Sequence, residues 1–115
     1  MQNDLERLAR ILDALGHPLR LRIVALLYQH GELYLAEIAS LLGISRALAK
    51  VHLAKLEKAG IVEARVAVLE GKAIARRYYR LKWNTTIVLS PQSIVELVEA
   101  CERGGGDGGE GGNTS

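Results

Sequence analysis

Residues 37–62, EIASLLGISRALAKVHLAKLEKAGIV, constrain this chain more than any other stretch. They read as two helices on either side of a tight glycine turn, Leu42-Gly43-Ile44. Ser45 is a good N-cap for the second helix, because its hydroxyl can accept from an otherwise unpaired backbone N–H. Gly60 stands where a helix ends in left-handed backbone. Leu48, Val51 or His52, and Leu56 are placed to anchor this helix, about 45–58, to a core. Such a pair commonly presents its second helix to the DNA major groove. The next segment, 61–81, has a strand–turn–strand pattern dense in arginine.

A helical pair followed by a basic hairpin is the pattern of a winged helix-turn-helix. The expected fold class is mainly α with a small β-hairpin, α+β, with helices flanking a two- to three-stranded antiparallel wing. The charge distribution supports nucleic-acid binding. Residues 1–42 hold four basic and five acidic side chains, and residues 83–115 hold one and five. Residues 43–82 hold ten basic and three acidic, so a net +7 block covers the helix pair and hairpin. Clustered positive charge of this kind is the footprint of a phosphate-binding surface.

The flanking segments read as helices with narrow apolar seams. Asp4 caps a first helix to about Leu15, with Leu5, Leu8, Leu12 and Leu15 in 3-4-3 spacing. His17-Pro18 opens a second helix to about Gln29, with proline where its missing N–H costs nothing. Leu21, Val24, Ala25 and Leu27 are expected inward, and Arg20 and Arg22 exposed. Glu32-Leu33-Tyr34 is a short strand able to pair with the hairpin. A third helix follows, with Ile38, Ala39 and Leu42 inward. Along the return strand, 73–81, Ala75, Arg77, Tyr79 and Leu81 share one face, with Arg76 and Arg77 both solvated near the tip. Trp83–Leu89 reads as a connector or a short extra strand. A last helix from Pro91 to about Arg103 carries Ile94, Leu97, Val98 and Cys101 on one stripe. The domain expectation is therefore 1–103, followed by a glycine-rich tail, 104–115, too polar to bury apolar surface.

Several function classes fall away. Cys101 is the only cysteine, so neither an intramolecular disulfide nor a cysteine-rich metal site is expected. No apolar run approaches the ~18 residues of a membrane span, and the first ten residues lack a signal-peptide core. The expected location is cytoplasmic, with no membrane partner. The chain shows no Ser-His-Asp pattern, no phosphate loop and no convincing carboxylate pair, so no enzyme is expected.

Residues 15–82 resemble the ArsR-type winged-helix transcriptional regulators. The resemblance rests on LGHPLRLRIVALL (15–27), GELYLAEIASLLGIS (31–45), HLAKLEKAGIV (52–62) and RRYYRL (76–81), in family order. It implies a homodimer built from the first and last helices, through Leu5, Leu8, Leu12, Leu15, Ile94, Leu97, Val98 and Cys101. It also implies double-stranded DNA as partner. Ser45, Arg46, Ala47, Lys50, Val51 and Lys55 would serve from the recognition helix, and Lys72, Arg76 and Arg77 from the wing. Arg46 would read guanine, and Ala47 and Val51 a thymine methyl. Where metal-sensing members carry Cys-x-Cys, this chain has Tyr34 and Ala36, so no thiolate site, metal or cofactor is expected. His17, His30 and His52 belong to different elements and read as capping, turn or packing. A small-molecule effector would have a pocket between the dimer helices. The alternatives are a winged-helix module that binds protein, and a non-specific architectural DNA-binding protein.

Overall fold

A computed structural model of the protein describes residues 4–71 and 73–104. Lys72 and the tail from residue 105 lie outside the described residues. The elements are α1 (Asp4–Leu15), α2 (Pro18–His30), β1 (Glu32–Tyr34), α3 (Leu35–Leu42), α4 (Arg46–Lys58), β2 (Val62–Val68), β3 (Ala75–Leu81) and α5 (Pro91–Gly104). Residues 82–89 form no helix or strand, so the expectation of an extra strand there gives way to a connector.

Residues 11–84 form one compact unit. Its core is aliphatic, built from Ala14, Ile23, Leu27, Leu33, Ile38, Leu42, Leu53, Leu56, Ile61 and Val62, with Tyr79 as its one fully buried aromatic. Helix α2 starts as its sequence requires: Pro18 occupies the first turn, and His17 Nδ1 accepts from Leu19 N–H at 3.0 Å. Its inner face differs from expectation. Ile23 and Leu27 are buried, whereas Leu21 is 53% exposed and Ala25 is also on the surface. The periodicity was satisfied by a face one residue-step away, running through Ile23, Leu27 and the half-buried Val24.

The sheet has strand order β1-β3-β2, antiparallel throughout. Tyr79 sits in the middle strand opposite Leu33 on one side and Ala64 on the other. Its alternation puts Tyr79 and Leu81 toward the core and Tyr78 and Arg80 on the outer face. The outer face is held by charge and π contacts. Arg65 grips Glu32 with two hydrogen bonds of 2.8 and 2.9 Å, and Arg80 donates to Glu63 at 2.6 Å. The Tyr34 and Tyr78 rings meet edge-on at 5.6 Å. Arg65 lies 4.7 Å from the Tyr78 ring centre, and Arg76 lies 4.2 Å from that of Tyr34. Each guanidinium faces an electron-rich ring, a favourable geometry.

The second unit comprises residues 4–10 and 85–104 among those described. Ser90 caps α5 by accepting from Ser93 N–H at 3.0 Å. On α5 Leu97, Val98 and Cys101 are half-buried, and Ile94 and Val95 remain 45% and 53% exposed. Leu5 and Leu8 are half-buried.

Candidate nucleic-acid interface

The turn between α3 and α4 explains how the interface is presented. Gly43 adopts φ 69°, ψ 34°, a left-handed conformation in which a side chain is strained. Gly43 N–H donates to Ser40 C=O at 3.1 Å, and Ile44 N–H to Ala39 C=O at 3.0 Å. These bonds close α3 and turn the chain sharply. Ser45 then takes extended backbone and accepts from Leu48 N–H at 3.0 Å through its Oγ. The cap therefore forms as its sequence indicates.

Helix α4 buries Ala49, His52, Leu53 and Leu56, an i, i+3, i+4, i+7 face. Of the expected anchors, His52 and Leu56 are buried. Leu48 and Val51 are not, at 41% and 64% exposure. Ala49 and Leu53 replace them. Because the buried face runs through 49 and 53, the opposite face exposes Ser45, Arg46, Ala47, Lys50, Val51 and Lys55 together.

His52 is the buried polar residue of this helix. Arg20 Nη1 lies 3.1 Å from His52 Nδ1, and Arg20 Nε donates to Ala14 C=O at 2.6 Å. A guanidinium only donates, so Nδ1 accepts and the His52 ring is neutral with its proton on Nε2. Burial, then the neighbouring His17 and Arg20, hold the His52 imidazole below its usual value. The His17 and His52 rings stand 4.5 Å apart. Arg20 is thus half-buried and ties α1, α2 and α4 together, where the sequence suggested a solvated arginine.

The basic block sorts into neutralised and free charges. Arg65 pairs with Glu32, Arg80 with Glu63, and Lys55 with Asp13 at 3.0 Å. Arg77 donates to Tyr79 Oη at 3.0 Å and reaches Glu57 at 3.4 Å. The Tyr79 hydrogen bond, followed by the fields of Tyr79 and Glu57, raises the Arg77 pKa further. The Glu32 carboxyl is lowered chiefly by its hydrogen bond from Arg65. Among the described residues, Arg46, Lys50, Lys58, Arg76 and Lys82 have no carboxylate within ion-pair distance. Arg76 is half-buried over Tyr34 rather than freely solvated, and Arg77 is exposed but paired. Lys72, expected on the wing, lies outside the described residues.

Arg46, Lys50 and Arg76 surround one cleft of about 430 Å³. Tyr34, Leu35 and Ala36 bound it on the side of α3, Arg46 and Lys50 on α4, and Ile74, Ala75, Arg76 and Arg77 on the wing. The sequence pointed to its cations but not to Tyr34, Ala36 or Ile74. Their convergence depends on the Tyr34↔Tyr78 register, which pairs strands over forty residues apart.

No group of three or more His, Cys, Asp or Glu side chains that could hold a metal ion occurs among the described residues. No helix among them is long and apolar enough to cross a membrane.

A helix-turn-helix domain family model matches residues 15–65. The homodimeric winged helix-turn-helix DNA-binding domain Mb0332 from Mycobacterium bovis, a possible ArsR-family transcriptional regulator, is 28% identical. The match covers 95% of this chain and 97% of that one, with a TM-score of 0.58. The fold is that of a winged helix-turn-helix, and the chain is similar to ArsR-type regulators. The transcriptional repressor BigR from Xylella fastidiosa is 27% identical over 86% of each chain, with a TM-score of 0.56. HlyU from Vibrio cholerae is 26% identical over 86% of this chain and 95% of that one, with a TM-score of 0.58. Among curated proteins, none matches this chain. The likeness to Mb0332 agrees with the sequence resemblance, and the third strand resolves the two-or-three-stranded alternative for the wing.

Proposed function

We propose that this chain is a dimeric, sequence-specific regulator of transcription that binds double-stranded DNA. The observation that carries this reading is the exposed face of α4. Ser45, Arg46, Ala47, Lys50 and Val51 are together on the surface, and Arg46 and Lys50 have no carboxylate partner among the described residues. In a helix-turn-helix these positions enter the major groove. Arg46 donates to guanine O6 and N7, worth roughly 1–3 kcal/mol of discrimination at one base pair. Lys50 reads guanine or meets a phosphate. Ala47 and Val51 meet thymine methyl groups, and Ser45 brings its hydroxyl near the backbone. Arg76 is the principal phosphate contact of the wing; Arg77 and Lys55 are held back by Glu57 and Asp13. Phosphate contacts supply affinity and orientation, and the few base readers leave part of the specificity to DNA shape.

The dimer reading rests on the apolar seams. Ile94 and Val95 on α5, and Val88 and Leu89 before it, expose large aliphatic surface that a second copy would cover. Leu5, Leu8 and Leu12 supply the matching seam on α1. Leu15 is partly committed to its own chain's core. The relative Mb0332 is homodimeric, which favours the same assembly here.

Selection of duplexes from a random-sequence pool at near-physiological salt tests the proposal. An enriched inverted repeat, with half-sites about one helical turn apart, is the expected result. Retention of the whole pool would replace it with architectural binding. Retention of none would favour a protein-interaction module, for which exposed Leu48 and Val51 would be the docking residues.

A further inference from the structure

The cleft between the start of α3, the start of α4 and β3 has a chemistry that major-groove contact does not use. We propose that it binds a small organic anion with a flat apolar body, and that the bound anion competes with DNA. The first half stands on the cleft alone; the second rests on the DNA-binding reading.

Three features of the cleft select such a ligand. Its volume, about 430 Å³, lies in the ~300–1,000 Å³ range of small-molecule sites and far exceeds what a single phosphate fills. Its wall is apolar and aromatic, from Tyr34, Leu35, Ala36 and Ile74. Among the described residues its lining charges are all positive, Arg46, Lys50 and Arg76 unpaired and Arg77 paired with Glu57, and no carboxylate lines it. A divalent cation is therefore excluded from the cleft, and a neutral apolar ligand would leave Arg46, Lys50 and Arg76 without an anionic partner.

Arg76 is already held in place. Its guanidinium stacks 4.2 Å from the Tyr34 ring centre, so little rotamer freedom is lost when it pairs with an anion. Leu35 and Ala36 are the first residues of α3, whose N-terminal backbone N–H groups favour negative charge. The same Arg46 and Lys50 side chains lie on the exposed face of α4, so a ligand that pairs with them removes them from phosphates and bases. Competition follows from shared groups and needs no conformational change.

The test uses the full-length protein and three probes: 1-naphthoate, its neutral counterpart 1-naphthalenemethanol, and inorganic phosphate. Amide chemical shifts locate each probe, and titration gives its affinity. The expected result is that 1-naphthoate shifts the amides of Tyr34, Ala36, Ile74 and Arg76, and binds at least tenfold tighter than either control. Arg46→Gln with Arg76→Gln should weaken 1-naphthoate at least tenfold. Ile74→Glu, at an exposed position where folding is undemanding, should abolish its binding by placing a like charge in the wall.

Shifts confined to other surfaces, or an affinity unchanged in these variants, would overturn the assignment. Equal affinity for the neutral alcohol would remove the role of the cations. Equal affinity for phosphate would reduce the cleft to a seat for a DNA backbone phosphate and refute the organic ligand. In parallel, saturating 1-naphthoate should release a fluorescent duplex from the protein. Ligand binding without release overturns the competition. A protein that binds 1-naphthoate but no duplex refutes the regulator reading and the competition with it, while the mapped shifts still decide the cleft.

Discussion

Replacing Arg20 with Met is the sharpest test of how α4 is held. Methionine keeps most of the aliphatic stem and deletes both hydrogen bonds, to Ala14 C=O and to His52 Nδ1. Leaving an acceptor of this kind without its donor costs about 1–3 kcal/mol. Ala14 C=O belongs to the last turn of α1, which has no intrahelical partner to offer it. Arg20 is half-buried, so water replaces part of what is lost, and the lower half of the range applies at each site. The sum over the two sites is about 2–4 kcal/mol by that range. At roughly 4–8 °C per kcal/mol for a domain of this size, the midpoint should fall by about 8–32 °C. The assay is urea and thermal unfolding followed by circular dichroism, at one fixed protomer concentration because the proposed dimerisation would couple to stability. A loss under about 0.5 kcal/mol, the range of ordinary surface substitutions, would refute the reasoning. The same series carries a pH signature. His52 titrates below the ordinary imidazole value in the folded protein, chiefly from burial. Above about pH 6.5 both folded and unfolded forms are neutral, and stability is at its full value. As pH falls, the unfolded chain takes up the proton first, and stability declines through the folded pKa before levelling off. His52→Gln should remove this contribution to the decline, and an unaltered decline would assign it to other groups.

The wing arginines should behave differently from each other. Arg76→Ala should weaken binding to all duplexes and flatten the salt dependence by about 0.9 of a log unit, measured by anisotropy across a salt series. Arg77→Ala should change that slope by less, because Glu57 already neutralises part of its charge; equal slopes would overturn the distinction. Leu53→Ala removes a fully buried side chain from α4 and should cost about 2–5 kcal/mol in urea unfolding. Leu97→Asp on the α5 stripe should convert the proposed dimer to monomer in sedimentation at micromolar protein, and a dimer persisting in the variant would move the interface elsewhere.

Local chemistry was the legible part of the sequence. Pro18, Ser45 and Gly60 act within a few residues of themselves, and the helix boundaries they imply match the structure to within a residue. Choosing the buried face of α4 was harder. A seam through Leu48 and one through Ala49 and Leu53 differ by one step of the helix, and alanine carries little apolar signal. Arg20 looks solvated from its sequence neighbourhood because its partners, Ala14 C=O and His52, come from other elements. The charge count likewise gave the sign of the surface but not its effective strength. Glu32 and Glu63 stand far from Arg65 and Arg80 in sequence or across a hairpin, and only strand register reveals that they pair. The cleft shows the same limit, since Tyr34 meets the wing through β1–β3 pairing.

Tyr34 ends β1, and the next residue begins α3. Its ring also touches Tyr78 and lies under Arg76. The wing is therefore not a detachable appendage in protein engineering. Transplanting 62–81 onto a relative would leave Arg65 without Glu32 and Arg76 without its ring unless β1 travelled too. The smallest exchangeable cassette runs from Glu32 to Leu81. Chimeras that respect those ends should keep their hairpins ordered, and chimeras cut inside them should not.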